Sequence, residues 1–262
     1  MWTHATRWLL DLLWPSACCG CRAPSGPALF CEACLGTLVS GARVSCPHCG
    51  RLSIGEEFRP GGHLCGGCLS DPPPWTRARG AFGYGGLLRE VISRWKNAPD
   101  HRLGPALGRL MVEDSETLGW SALSRDTLVV PVPAHPSTIR RRGFHPAGIL
   151  ASAMARSIGL EIAFEALSVR RPISSSRGAS RVARRRRLQG AFRPHSALLE
   201  GRSVLLIDDV MTTGATARAA TEACLRGGAI GVEVAGLART PDNGIEPPAV
   251  VGSATLGLRG GS

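Results

Sequence analysis

The segment Val204-Leu205-Leu206-Ile207-Asp208-Asp209-Val210-Met211-Thr212-Thr213-Gly214-Ala215-Thr216 constrains this chain more than any other. Four consecutive apolar residues predict a strand buried on both faces, as in a parallel sheet. Asp208 and Asp209 follow at its C-terminal edge, where ligands bind in open α/β sheets. Thr212, Thr213, Gly214, Ala215 and Thr216 then make a hydroxyl-rich turn into a helix that starts near Thr216. Gly214 and Ala215 let the backbone approach a ligand closely. Loop N–H groups, hydroxyls and the positive end of the helix all favour a phosphate. The paired aspartates offer the acceptors that vicinal hydroxyls need, so phosphate beside diol describes a ribose phosphate. A P-loop is excluded, because no G-K-[ST] follows the glycine. Phosphate-accepting receiver domains share the acid pair but lack this turn. A purely structural strand-turn-helix leaves the acids and hydroxyls without a packing purpose.

Around this segment, periodicity predicts strands over 81–84, 127–132, 164–169, 203–207 and 232–237. It predicts helices over 87–96, 103–113, 147–158 and 216–226. Strands alternating with helices imply an open α/β sheet. With 44% hydrophobic residues the chain has material for a real core. Pro72, Pro73 and Pro74 mark a stiff linker over 70–76, ahead of an α/β domain over 77–240. Residues 241–262, rich in Pro, Gly and small side chains, read as a disordered tail.

Eight of the ten cysteines fall into four C-x2-C pairs. Cys18, Cys21, Cys31 and Cys34 form one set, and Cys46, Cys49, Cys65 and Cys68 the other. Two knuckles per set supply the four soft ligands of a tetrahedral Zn²⁺, so two closed, structural zinc sites are expected. Iron–sulfur clusters or redox dithiols rank below zinc. His48 and His63 are not needed as ligands, Cys19 is a spectator, and Cys224 is a core residue. Residues 17–69 lack periodic apolar residues and need metal to fold. Zinc thiolates with a phosphosugar point to a reducing, cytoplasmic setting. Residues 1–16 predict a short amphipathic helix ending at Pro15. A signal peptide is disfavoured by Asp11 and by the Cys-rich stretch that follows. No stretch is long and apolar enough to span a membrane.

The formal charge is +11, and Lys96 is the only lysine. Arg177, Arg181, Arg184, Arg185, Arg186 and Arg187 occupy a predicted loop between strands, and Arg140, Arg141 and Arg142 form a second cluster. Such charge suits pyrophosphate or nucleic-acid phosphates, or it is a solvated surface enriched by a GC-rich genome. With only Phe164 and Phe192 nearby, base stacking on this loop is poorly supported.

At these residues the chain resembles type I phosphoribosyltransferases, and more narrowly the ComF/GntX family. The narrower resemblance uses the four C-x2-C pairs, Arg94-Trp95-Lys96 at a helix end, Val130-Pro131-Val132-Pro133 and Arg142-Gly143-Phe144. It continues through Arg184 and Gly190-Ala191-Phe192 to the acid pair and its turn. It implies a type I phosphoribosyltransferase-like parallel sheet flanked by helices, with an N-terminal double zinc ribbon. It implies 5-phosphoribosyl-1-pyrophosphate as ligand, with Asp208 and Asp209 on the ribose hydroxyls and at the catalytic centre. The 5-phosphate then lies in the turn of Thr212, Thr213, Gly214, Ala215 and Thr216. The loop after residues 130–132 contacts pyrophosphate, Mg²⁺ comes with the ligand, and Arg142 and Lys96 are further substrate contacts. The family often carries Asn-Gln where this chain has His145-Pro146, a Gln at Ser176 and an Asn at Arg187. These departures leave the phosphoribosyl site intact and the acceptor unspecified. The resemblance implies either an enzyme of nucleotide salvage or a non-catalytic protein of DNA uptake. The latter engages single-stranded DNA or a helicase partner, with the sugar phosphate as regulatory ligand. A third implication is a regulator that reads nucleotide supply.

Overall fold

A computed structural model describes residues 17–26, 28–38, 45–51, 63–97, 103–113, 118–171 and 181–241. The expected N-terminal helix, the tail beyond residue 241, Ser176 and Arg177 lie outside them. The helices are α1 (Glu32–Leu35), α2 (Gly66–Ser70), α3 (Gly86–Asn97), α4 (Leu103–Glu113), α5 (Pro136–Arg142), α6 (Pro146–Ile158), α7 (Arg181–Leu188), α8 (Ser196–Leu199) and α9 (Ala215–Arg226). The strands are β1 (Arg77–Gly83), β2 (Leu128–Pro131), β3 (Glu161–Ile162), β4 (Leu167–Val169), β5 (Phe192–Pro194), β6 (Ser203–Met211) and β7 (Gly231–Arg239).

Five strands form one sheet in the order β1-β7-β6-β2-β3, and every pairing is parallel. Alternation along the central strands sorts the core into two layers. Val204 and Leu206 of β6 face one layer, with Val130, Val234 and the alanine-rich inner side of α9. Leu205 and Ile207 face the other, with Val129, Leu237 and the apolar sides of α3, α4 and α6. Removing a buried leucine such as Leu206 down to alanine should cost about 2–5 kcal/mol.

The two cysteine sets join opposite layers. Cys46, Cys49, Cys65 and Cys68 pack with the α9 side, while Cys18 and Cys34 pack with α3 and Phe82. The ribbons are therefore built onto the α/β domain. The segment expected as a plain linker takes part: Trp75 is buried, and Asp71 accepts from Arg185 at 2.7 Å and pairs with Arg218 at 3.2 Å.

Three expectations need correction. The strand expected over 164–169 begins as a 3-10 turn (Phe164–Ala166), and only β4 is extended. That strand leaves the main sheet and pairs antiparallel with β5. The short β3 takes the sheet edge instead, where its two residues pair with Leu128 and Val129. Part of the expected arginine loop is helical, as α7, because its run lacks proline, glycine and β-branched residues after Val182. The strand bearing the acids is longer than its four apolar residues. Its ladder with β7 continues from Asp208, opposite Gly236, to Met211, opposite Arg239.

Candidate functional site

Asp208 and Asp209 lie near the C-terminal end of the central strand β6, flanked by β2 and β7. Each carboxylate is tied to the backbone. Asp209 N–H donates to Asp208 Oδ1 at 2.9 Å, and Val210 N–H donates to Asp209 Oδ1 at 2.6 Å. Lys96, from the last turn of α3, reaches Asp209 Oδ2 at 2.7 Å. The chain's only lysine thus meets a carboxylate that is distant in sequence. Burial, and then the neighbouring Asp209 charge, push the Asp208 carboxyl up to about 7, while Lys96 pulls the other way. Asp208 is held in a place that resists its charge, as perturbed acids at functional sites often are.

Stacked rings set the position of Lys96. Trp95 is fully buried and stacks on Phe144, with centroids 5.3 Å apart. Arg94-Trp95-Lys96 and Arg142-Gly143-Phe144 are thereby brought together. Gly143 ends α5 in the left-handed region, at φ 84°, and releases the chain toward His145. His145 Nε2 donates to the Val132 carbonyl at 2.9 Å, just past β2. Burial depresses this imidazole, with Asp209 among the charges that oppose the effect and Arg142 among those that add to it. His145 therefore lies in the field of Asp209 on one side and Arg142 on the other. Sequence reasoning treated His145 only as a departure from the family pattern, and its place beside β2 was not legible.

The turn beyond the acids leads directly into α9. Gly214, at φ 77°, is the N-cap of α9, and Thr213 Oγ1 accepts from Ala215 N–H at 3.3 Å. A side chain at 214 is disfavoured twice, by that φ and by the Trp75 ring 3.2 Å from an added Cβ. The first N–H groups of the twelve-residue α9 have no partner within the helix and favour a phosphate. Arg239 was not singled out from the sequence. It is buried, and its Nη1 donates to the carbonyls of Met211 at 3.1 Å and Thr212 at 2.6 Å. No local pattern marks it, because it closes a mostly apolar strand and its partners lie on another segment.

The cysteine sets have the geometry of zinc sites. In each set the four sulfurs lie within 4.8 Å of one another. A Zn–S bond of about 2.3 Å in a tetrahedron places sulfurs about 3.8 Å apart. Cys21–Cys31, Cys46–Cys68 and Cys49–Cys65 stand at 3.6, 3.8 and 3.6 Å. Backbone N–H groups of Gly20 and Cys31 point at Cys18 Sγ, and that of Cys65 at Cys46 Sγ, as suits thiolates. His48 spends its ring on the Trp75 carbonyl at 2.8 Å, and neither it, His63 nor Cys19 joins a cluster. Cys224 is buried in the core. Both sets thus have the donor set and spacing that fit a closed, structural Zn²⁺ site. Among the described residues no helix is long and apolar enough to cross a membrane.

Comparison with known proteins agrees with both modules. Residues 9–69 match the double zinc ribbon domain, and residues 137–257 match the phosphoribosyl transferase domain. The DNA utilization protein YhgH of Escherichia coli K12 is 31% identical over 229 residues, covering 86% of this chain and 98% of the relative. Competence protein F of Haemophilus influenzae is 28% identical, over 74% of this chain and 86% of that protein. Among solved structures, the glutamine phosphoribosylpyrophosphate amidotransferase from B. subtilis is 21% identical. It covers 51% of this chain and 26% of its own, with a TM-score of 0.34. The assignment rests on the sequence relatives and the two domain matches: the chain belongs to the ComF family, a double zinc ribbon followed by a phosphoribosyltransferase domain.

Proposed function

We propose that the α/β domain binds 5-phosphoribosyl-1-pyrophosphate with Mg²⁺, and that the protein serves DNA utilisation or uptake, or nucleotide salvage. The observation that carries the ligand is the acid pair, one member bound to Lys96, beside the Gly214 turn at the head of α9. Vicinal hydroxyls suit Asp208 and Asp209, and the 5-phosphate suits the N–H groups and hydroxyls from Thr212 to Thr216. Lys96 and Arg142 would add positive charge for the pyrophosphate, and Mg²⁺ brought by the ligand would neutralise further charge. The reaction this arrangement suits is displacement of pyrophosphate from the anomeric carbon by a nitrogen nucleophile. The new bond forms to carbon as the carbon–oxygen bond breaks, and pyrophosphate leaves with the electron pair.

The test is a calorimetric titration of the full chain with the donor and Mg²⁺, repeated on Asp208→Asn combined with Asp209→Asn. Binding to the parent chain and none to a folded double variant is expected. Equal affinity in the two would end the assignment. A panel of nitrogen acceptors, with and without single-stranded DNA, then separates turnover from ligand binding alone.

A second reading has its own observation. Arg140 and Arg141 on α5, and Arg185, Arg186 and Arg187 on α7, face solvent. This basic surface supports contact with single-stranded DNA, or with a DNA-bound helicase, in a reducing, cytoplasmic setting. The sugar phosphate is then a regulatory ligand.

A further inference from the structure

The second cysteine cluster lies against the phosphate turn. Cys49, Cys65, Trp75, Gly214 and Arg239 line one cavity. Two side chains make the connection. Trp75 packs on Gly214 and is gripped by the first knuckle of the cluster: its Nε1 donates to the His48 carbonyl at 3.1 Å, and its own carbonyl accepts from His48 Nε2 at 2.8 Å. Arg239, only 2% exposed, bonds the Met211 and Thr212 carbonyls with Nη1 and lines the same cavity as Cys49. Gly80 of β1 leaves the room this needs, since an added Cβ there would stand 2.6 Å from Arg239 Cβ.

A buried guanidinium without a counter-charge is costly. Among the described residues Arg239 forms no ion pair with a carboxylate, and its Nε has no hydrogen-bond partner. The charges that favour it most are the sulfurs of Cys49 and Cys65. A zinc tetrathiolate carries a net double negative charge, whereas four neutral thiols carry none. Metal loading therefore decides whether Arg239 has a counter-ion. The peptide plane carries the consequence onward. The Thr212 carbonyl and the Thr213 N–H belong to one rigid trans peptide and point opposite ways. Holding that carbonyl on Arg239 aims the N–H away from it, at the start of the turn.

We propose that Arg239 is a positioning residue that couples the second zinc site to the phosphate turn. The metal cluster holds Arg239, and Arg239 holds the turn in its anion-binding shape. The ligand half of this inference rests on the phosphate-binding reading above. The first zinc site has a different attachment: Arg94 donates to the Cys19 carbonyl at 2.9 Å, and Gly20 sits on Leu87, both on α3. Loss of zinc from the second site loosens the turn, and loss from the first does not.

The experiment uses the full chain with Arg239→Met, Arg239→Lys, Cys49→Ser and Cys21→Ser. It reads zinc per chain, amide hydrogen exchange over 211–216, and affinity for the phosphoribosyl donor with Mg²⁺. Arg239→Met should keep both zinc ions, speed exchange over 211–216 by about tenfold or more, and weaken donor binding about 10- to 100-fold, the usual effect of losing charge-assisted hydrogen bonds. Arg239→Lys should recover part of both effects. Each Ser variant should lose one zinc, but only Cys49→Ser should loosen the turn. Parent-like exchange in Arg239→Met overturns the coupling, as does equal loosening in the two Ser variants. If Arg239→Met does not fold, the Lys variant and the Ser pair decide. A parent chain that ignores the donor defeats the phosphate reading, while the exchange data still decide the coupling.

Discussion

Replacing Asp208 by asparagine should stabilise the fold while removing ligand binding. The carboxyl sits at about 7 in the native protein against an ordinary 3.8, chiefly because burial and Asp209 oppose its charge. That span of roughly three pH units, at about 1.4 kcal/mol each, sets a ceiling of about 4 kcal/mol. Partial exposure to solvent screens the effect, and a gain of about 2 kcal/mol is expected. Asparagine keeps an oxygen for the Asp209 N–H at 2.9 Å, so the local hydrogen bond survives. The sign follows from proton linkage. The folded protein keeps the proton up to about pH 7, whereas the unfolded chain loses it near 3.8. Stability from the neutral acid is therefore lost as pH rises through that window, and the loss is complete above it. The asparagine variant does not titrate there, so its advantage grows across the window and then stays level. Urea unfolding at about pH 5.5, 7 and 8.5 in zinc-containing buffer measures this directly. An advantage that is absent at the highest pH, or that does not change with pH, refutes the argument. Retained donor binding in the variant would separately remove Asp208 from the site.

Elemental analysis should find two zinc ions per chain and no iron, since each cluster offers four sulfurs at zinc spacing. The sequence predicts that chelation unfolds residues 17–69 and spares the α/β domain. The shared core predicts instead a red shift of tryptophan emission as Trp75, buried beside the second cluster, becomes exposed. Single-stranded DNA should bind with little sequence preference and weaken steeply with salt. Changing Arg140, Arg141, Arg186 and Arg187 to Glu should lower affinity uniformly. Equal binding by a charge-matched control protein would remove the DNA reading.

What the sequence made legible is what local pattern can carry. The apolar run over 204–207 announced a central strand, Gly214 announced a turn, and C-x2-C spacing announced metal knuckles. What it hid was set by partners far along the chain. β6 runs on through both aspartates because β7 continues the ladder beside them, which no propensity of Asp predicts. Lys96 belongs with Asp209 because Trp95 and Phe144 stack, and that pairing joins two motifs that neither one specifies alone. Trp75 resembled the end of a proline-rich spacer, yet its ring closes the back of the turn. The arginine run looked like a loop because charge without apolar periodicity gives no helix signal, although its residues suit a helix well.

The distribution of arginines narrows the basic surface. A formal charge of +11 invites the view that the whole molecule attracts phosphates. Many of the guanidiniums are committed inside the fold. Arg77 lies over the Trp120 ring and donates to the Gly119 carbonyl at 2.9 Å. Arg79 bonds the Pro47 carbonyl at 2.7 Å, and Arg94 that of Cys19. Arg202 pairs with Glu161, and Arg218 with Asp71. Arg239 holds the turn. Arg77, Arg79, Arg94, Arg218 and Arg239 join ribbon to domain or strand to loop, work that guanidinium suits because one planar fork can serve several carbonyls. Their charge still contributes to the long-range field, but their donors are engaged. Exposed arginines such as Arg109, Arg125, Arg156 and Arg226 are scattered, whereas those of α5 and α7 are consecutive in sequence and offer the densest charge for nucleic-acid phosphates. The DNA reading therefore rests on the clustering of charge on these two helices, independently of the total charge.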